Sequence, residues 1–99
     1  MIGTSILEDS NGKNPYAQYD LGQAMLSMSV EAQTRGYYTH QMGGFDREKA
    51  AAELPLSEHQ QPMVAVAFGK IGDYASAPEE LLEREKAPRH RKEDFAKKI

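Results

Sequence analysis

The chain has 99 residues, 39% of them hydrophobic, with no cysteine, a formal net charge of −3 and a mean hydropathy of −0.68. That length suits one small domain, and a domain of this size buries only a modest share of its surface when it folds alone. The missing cysteine excludes disulfides, thiolate metal sites and thiol nucleophiles, and no apolar run approaches the length of a membrane span.

The charge is unevenly spread. Residues 1–83 carry five basic and twelve acidic side chains, whereas residues 84–99 carry seven and three. A basic tail on an acidic body fits a solvated end, an anion site or a nucleic-acid arm. The arm is the weakest of these, because Phe95 is the tail's one aromatic residue for stacking. Three segments are therefore expected: an irregular stretch at 1–13, a folded body at 14–83 and a basic tail at 84–99. Met1 to Gly12 has no basic-then-apolar signal pattern, so a cytoplasmic protein is expected.

In chain order, Ile2, Ile6 and Leu7 could form a short edge strand, and Glu8-Asp-Ser-Asn-Gly-Lys13 has turn chemistry, with Asn-Gly suited to positive φ. Asn14-Pro15 opens a long helix. Its apolar positions Leu21, Ala24, Met25, Met28 and Ala32 follow helical spacing. Gly22 costs about 1 kcal/mol relative to alanine there, which suggests close approach by another element. Gly36 stands where a left-handed cap ends the helix.

Tyr37 to Met42 has strand propensity, and alternation puts Tyr38, His40 and Met42 on one face with Tyr37, Thr39 and Gln41 on the other. Gly43-Gly44 breaks the strand, and Asp46 caps a helix from Arg47 to Leu54 that Pro55 terminates. The apolar run Met63 to Phe68 reads as a buried strand between Pro62 and Gly69. A helix start near Ser76 is expected to dock one turn through Leu81-Leu82, with extended, charged chain from Glu83 onward.

None of His40, His59 and His90 belongs to a metal-spaced pair. No nucleophile elbow or Walker-type loop is present. Gly43-Gly44 is the better candidate site. Two glycines between strand and helix let a flat ligand lie on bare backbone, with outward N–H groups and the helix start offering positive polarity. A plain turn fits the same residues. In the tail, Arg89 and Arg91 share one side of an extended strand, and guanidinium groups match phosphate oxygens. A solvated basic terminus fits them equally.

Three stretches together resemble the FMN-dependent nitroreductases, over roughly residues 14–92. Asn14-Pro-Tyr-Ala-Gln-Tyr-Asp-Leu-Gly-Gln-Ala24 is similar to the entry of that family's long central helix. Met42-Gly-Gly-Phe-Asp46 is similar to its turn beneath the flavin ring. Leu82-Glu-Arg-Glu-Lys-Ala-Pro-Arg-His-Arg-Lys92 is similar to the segment that brings basic residues to the FMN phosphate. The resemblance implies an α+β fold, a long central helix plus short strands completed by a partner chain, as in the family's intertwined dimers.

It also implies FMN as cofactor, held at the ring by backbone N–H groups of Gly43 and Gly44 and at the phosphate by Arg89 and Arg91. The implied reaction takes hydride from NAD(P)H through flavin to nitro compounds, quinones or similar small acceptors. The cofactor carries that chemistry and the protein orients it, so no catalytic side chain, metal, nucleic acid or membrane is required. The family's N-terminal Arg-Arg-Ser-x-Arg type segment has no counterpart here. A truncated or fragmentary form, or one half of a split protein, is therefore expected, as a homodimer or with a complementary chain. The alternative is a non-catalytic α+β module that dimerises through the 15–35 helix.

Overall fold

A computed structural model describes residues 1–88 and residue 90. The fold is α+β. Strand β1 (Ile2–Ile6) leads into a small hairpin, β2 (Glu8–Asp9) and β3 (Gly12–Lys13). Helix α1 (Ala17–Thr34), strand β4 (Tyr38–Met42), helix α2 (Arg47–Glu53), strand β5 (Gln60–Gly69) and helix α3 (Glu79–Lys86) follow. The main sheet has the order β1-β5-β4 with both pairings antiparallel. Among the described residues the last strand in sequence is thus the central one. Helix α1 packs against β1 and β4, and α2 packs against β5.

The long helix starts and stops where its sequence directs. The Asn14 side chain accepts from the Tyr16 amide at 3.0 Å and donates to the Ile6 carbonyl at 3.2 Å, tying the helix entry to the end of β1. At the other end Gly36 takes φ +74. Its N–H donates to the Gln33 carbonyl and that of Tyr37 to the Ala32 carbonyl, at 3.0 and 2.9 Å. This paired pattern is the Schellman closure of a helix, and glycine adopts its left-handed residue without steric strain.

The strand at 60–69 is longer than the apolar run alone predicts. It includes Pro62, which cannot donate to a ladder. The register steps from Gly3↔Val64 to Thr4↔Pro62, so Met63 is the extra residue of a bulge beside the proline. The bulge absorbs the missing donor and lets Gln60 and Gln61 pair with Ile6 and Ser5. Burial is also less complete than expected. Val66 is buried, but Phe68 at the far end is 47% exposed.

Residues 1–13 depart from the irregular reading. β1 forms a full ladder with β5 because Gly3 lets the sheet approach α1. A Cβ at Gly3 would lie 2.8 Å from Val64 Cγ1 and 3.2 Å from both Leu21 Cδ1 and Met25 Sδ. The hairpin turn places Gly12 at φ +102, the positive φ that Asn-Gly foretells. The chain from Glu83 is not extended either: α3 runs to Lys86. Glu79 and Glu80 in its first turn and Arg84 and Lys86 in its last both favour the helix dipole.

The core is thin. Among the described residues the buried hydrophobic side chains are Ala17, Ala32 and Val66. Large hydrophobic side chains, among them Tyr19, Leu26, Val30 and Phe68, remain exposed.

Substitution Gly3→Ala is expected to lower stability by about 1–3 kcal/mol through overpacking against Val64, read as the urea midpoint. Ser5 is the opposite case: it is 1% exposed and its hydroxyl has no hydrogen-bond partner. Ser5→Ala is therefore expected to hold or raise stability, by up to about 1 kcal/mol in the same measurement.

Candidate functional site

The glycine turn sits at the end of β4. The ladder to β5 runs from Tyr38↔Gly69 to Met42↔Ala65 and stops there. Gly43 and Gly44 then leave the sheet, Phe45 is half-buried, and Asp46 opens α2. The Asp46 carboxylate accepts from the Lys49 amide at 2.9 Å, the N-cap that the sequence predicts. Leu54 is extended at ψ 147 before Pro55 and ends the helix as expected. The turn therefore lies between the end of a ladder and a capped helix start.

Neither glycine is explained by the described residues. Their φ values are not positive, so a left-handed backbone does not require them. A Cβ added at either would meet no described atom within 4 Å, so packing among the described residues does not require them. Both are exposed. What remains among the described residues is a bare, exposed stretch of backbone between strand and helix.

The alternation of β4 places its side chains as expected. Thr39 and Gln41 reach α1, where Thr39 Oγ1 and Gln41 Nε2 both donate to Ser29 Oγ, at 2.9 and 3.2 Å. Tyr38, His40 and Met42 are exposed on the opposite side. His59 is exposed, with its ring nitrogens 3.4 Å from carboxylate oxygens of Glu8 and Glu58. Among the described residues no group of histidine and carboxylate side chains is arranged to hold a metal ion.

Two open hollows flank the end of α1. One, of about 370 Å³, is lined by Met28, Glu31, Ala32, Arg35, Tyr37 and Phe68. The other, of about 300 Å³, lies by Leu26, Val30, Tyr38 and Thr39. Both include Tyr37, at the end of β4 away from the glycine turn. A strand of this length spans roughly 16 Å, so the 370 Å³ hollow is separate from the turn.

The outer side of α1 carries a second unexplained feature. Tyr19, Leu26 and Val30 are 67%, 64% and 55% exposed, and with Tyr16 they fall at intervals of three, seven and four, Gln23 standing between Tyr19 and Leu26. Gly22 lies on the same helix with no described atom within 4 Å of an added Cβ, so no described residue makes the close approach expected there. Tyr19, Leu26 and Val30 are outside the set Leu21, Ala24, Met25, Met28 and Ala32 that helical spacing picks out. Arg89 and Arg91 lie outside the described residues, so the structure brings neither to the glycine turn nor away from it. No helix among the described residues is long and apolar enough to cross a membrane.

Comparison with known proteins gives the fold a lineage. The nitroreductase family model matches residues 3–70. The match begins earlier than the 14–92 resemblance, because it takes in β1, and it ends before the basic tail. The uncharacterized 15.4 kDa protein in the ask 5′ region of Mycolicibacterium smegmatis is 42% identical over 76 residues, 77% of this chain and 51% of that protein. The crystal structure of an oxidoreductase containing FMN superposes with a TM-score of 0.82 at 26% identity, covering 96% of this chain and 51% of that one. The chain thus spans about half the length of these relatives. With the family match covering the sheet, the long helix and the glycine turn, this chain belongs to the nitroreductase family.

Proposed function

We propose that the chain forms one part of an FMN site of the nitroreductase type, completed by a second copy or a complementary chain. The observation that carries this is the Gly43-Gly44 turn, bare for no reason that the described residues supply, in a member of that family. In this reading the Gly43 and Gly44 N–H groups hydrogen-bond the polar edge of the flavin ring near N5 and O4. Arg89 and Arg91 bind the phosphate, a role supported by guanidinium chemistry and the tail's charge. FMN supplies hydride transfer from NAD(P)H to a nitro compound, a quinone or a similar acceptor. The chain's own residues bind and orient it. The FMN content of the similar oxidoreductase supports the choice of cofactor.

The exposed stripe Tyr19, Leu26 and Val30 and the open Gly22 support association through α1. They also support a second reading, a non-catalytic module that dimerises through α1 and binds no flavin. The two differ in colour: the first gives an absorbance change on adding FMN, the second a colourless oligomer.

Titration with FMN, followed by absorbance and by mass in solution, is expected to give saturable binding to an assembly of two chains. Gly43→Val or Gly44→Val is expected to weaken FMN at least about tenfold while moving stability by less than about 0.5 kcal/mol, since no neighbour meets the new side chain. Arg89→Ala with Arg91→Ala is expected to weaken FMN by at least about tenfold, and unchanged affinity would remove the phosphate role. Leu26→Lys with Val30→Lys is expected to halve the mass found by sedimentation.

A further inference from the structure

The hydroxyl of Ser29 is the most heavily used side-chain group in the described molecule. It donates to the Met25 carbonyl one turn back on α1 at 2.8 Å and accepts from Thr39 Oγ1 at 2.9 Å and Gln41 Nε2 at 3.2 Å. A serine hydroxyl offers one donor and two acceptor sites, so its capacity is filled. An apolar residue would pack at this position and favour the helix more, because serine is a weaker helix former than leucine or methionine. The serine is accounted for by its partners.

Those partners lie two residues apart on one side of β4. One hydroxyl therefore holds the strand at two points. β4 needs that hold, because it is an edge strand: β5 pairs with one side of it, and among the described residues no strand pairs with the other. Gln41 is also the second residue before Gly43. Beyond Met42↔Ala65 the ladder supplies nothing more, and no atom of the described residues comes within 4 Å of either glycine's Cβ position. Where the turn sits depends on where β4 ends.

We propose that Ser29 is a positioning residue for the flavin turn: through Thr39 and Gln41 its hydroxyl fixes the end of β4 and so the direction in which the Gly43 and Gly44 N–H groups point. This rests on the reading of that turn as the flavin contact. The hydroxyl does not touch the ligand. Its removal takes away the side-chain tie between β4 and α1 and leaves the exposed Gln41 amide to water, with the β5 ladder alone holding the last residues of β4.

The test compares Ser29→Ala, Ser29→Thr and Gln41→Met with the parent chain by NMR and by FMN titration. Ser29→Ala and Gln41→Met are expected to move the Gly43 and Gly44 amide resonances and to speed amide exchange in β4 roughly tenfold, with the β1–β5 ladder unchanged. Ser29→Thr keeps a hydroxyl and is expected to restore both. In the parent chain bound FMN is expected to show a shifted absorption band. Ser29→Ala is expected to reduce that shift and weaken binding roughly tenfold, and Ser29→Thr to recover them.

Unchanged turn resonances in Ser29→Ala overturn the positioning role whether or not FMN binds. Turn resonances that move while FMN affinity and band position stay fixed overturn its link to the flavin. A parent chain that binds no FMN overturns the flavin reading itself, and the amide data then decide separately whether Ser29 sets the turn.

Discussion

The structure depends on β5 pairing on both sides. This strand comes after the long helix and after α2, yet it lies between β1 and β4, strands that precede it by tens of residues. Neither edge strand pairs with the other, so the sheet does not exist until β5 arrives. The loop closures that bring it there are entropically unfavourable before any ladder forms. The ladder offsets this with backbone hydrogen bonds on both edges, and the bulge at Met63 lets the strand run on past Pro62. Helix α1 then has a surface to rest on, and Gly3 sets how closely it can rest.

That arrangement leaves one side of the molecule unfinished. The inward side of α1 reaches the sheet through Leu21, Met25 and the buried Ala32, while Tyr19, Leu26 and Val30 face outward. Exposed apolar residues scattered singly need no explanation, but Leu26 and Val30 stand one turn apart on the same helix as the exposed Tyr19. The glycines at 43 and 44 are open in the same sense. Among the described residues nothing packs on them and no positive φ requires them.

The tight points are as informative as the open ones. Asn14 joins the helix entry to the end of β1, the Gly36 cap turns the chain into β4, and Ser29 binds β4 to α1 from the side. Each is a polar contact in a molecule with little apolar burial. In a large core such contacts refine a structure that packing already defines. Here they share in defining it, because the buried side chains are small and few.

Local rules explain why much of this was legible from residues alone. Helix α1 was marked by its apolar spacing, by Asn14-Pro15 and by Gly36. Helix α2 was marked by Asp46 and Pro55, and β4 by its aromatic and β-branched residues. All of these act over a few neighbouring residues, where propensity and capping dominate. The glycine turn was legible as a candidate for the same reason. The strand character of residues 2–6 was legible only in part, because a strand that contains Gly3 and Ser5 is specified by β5 and α1 rather than by its own propensity. The persistence of α3 through Glu83 was missed because a charged sequence reads as solvated chain until its charges are placed against the helix dipole. The Ser29 hub could not be read at all, since a serine within a helix gains meaning only when Thr39 and Gln41 come to face it. The sequence by itself determined the elements, their caps and the two glycines, through interactions between near neighbours. Only the tertiary structure decided the sheet order, the demand for glycine at position 3 and the lack of one at 43 and 44, because those depend on which distant residues meet.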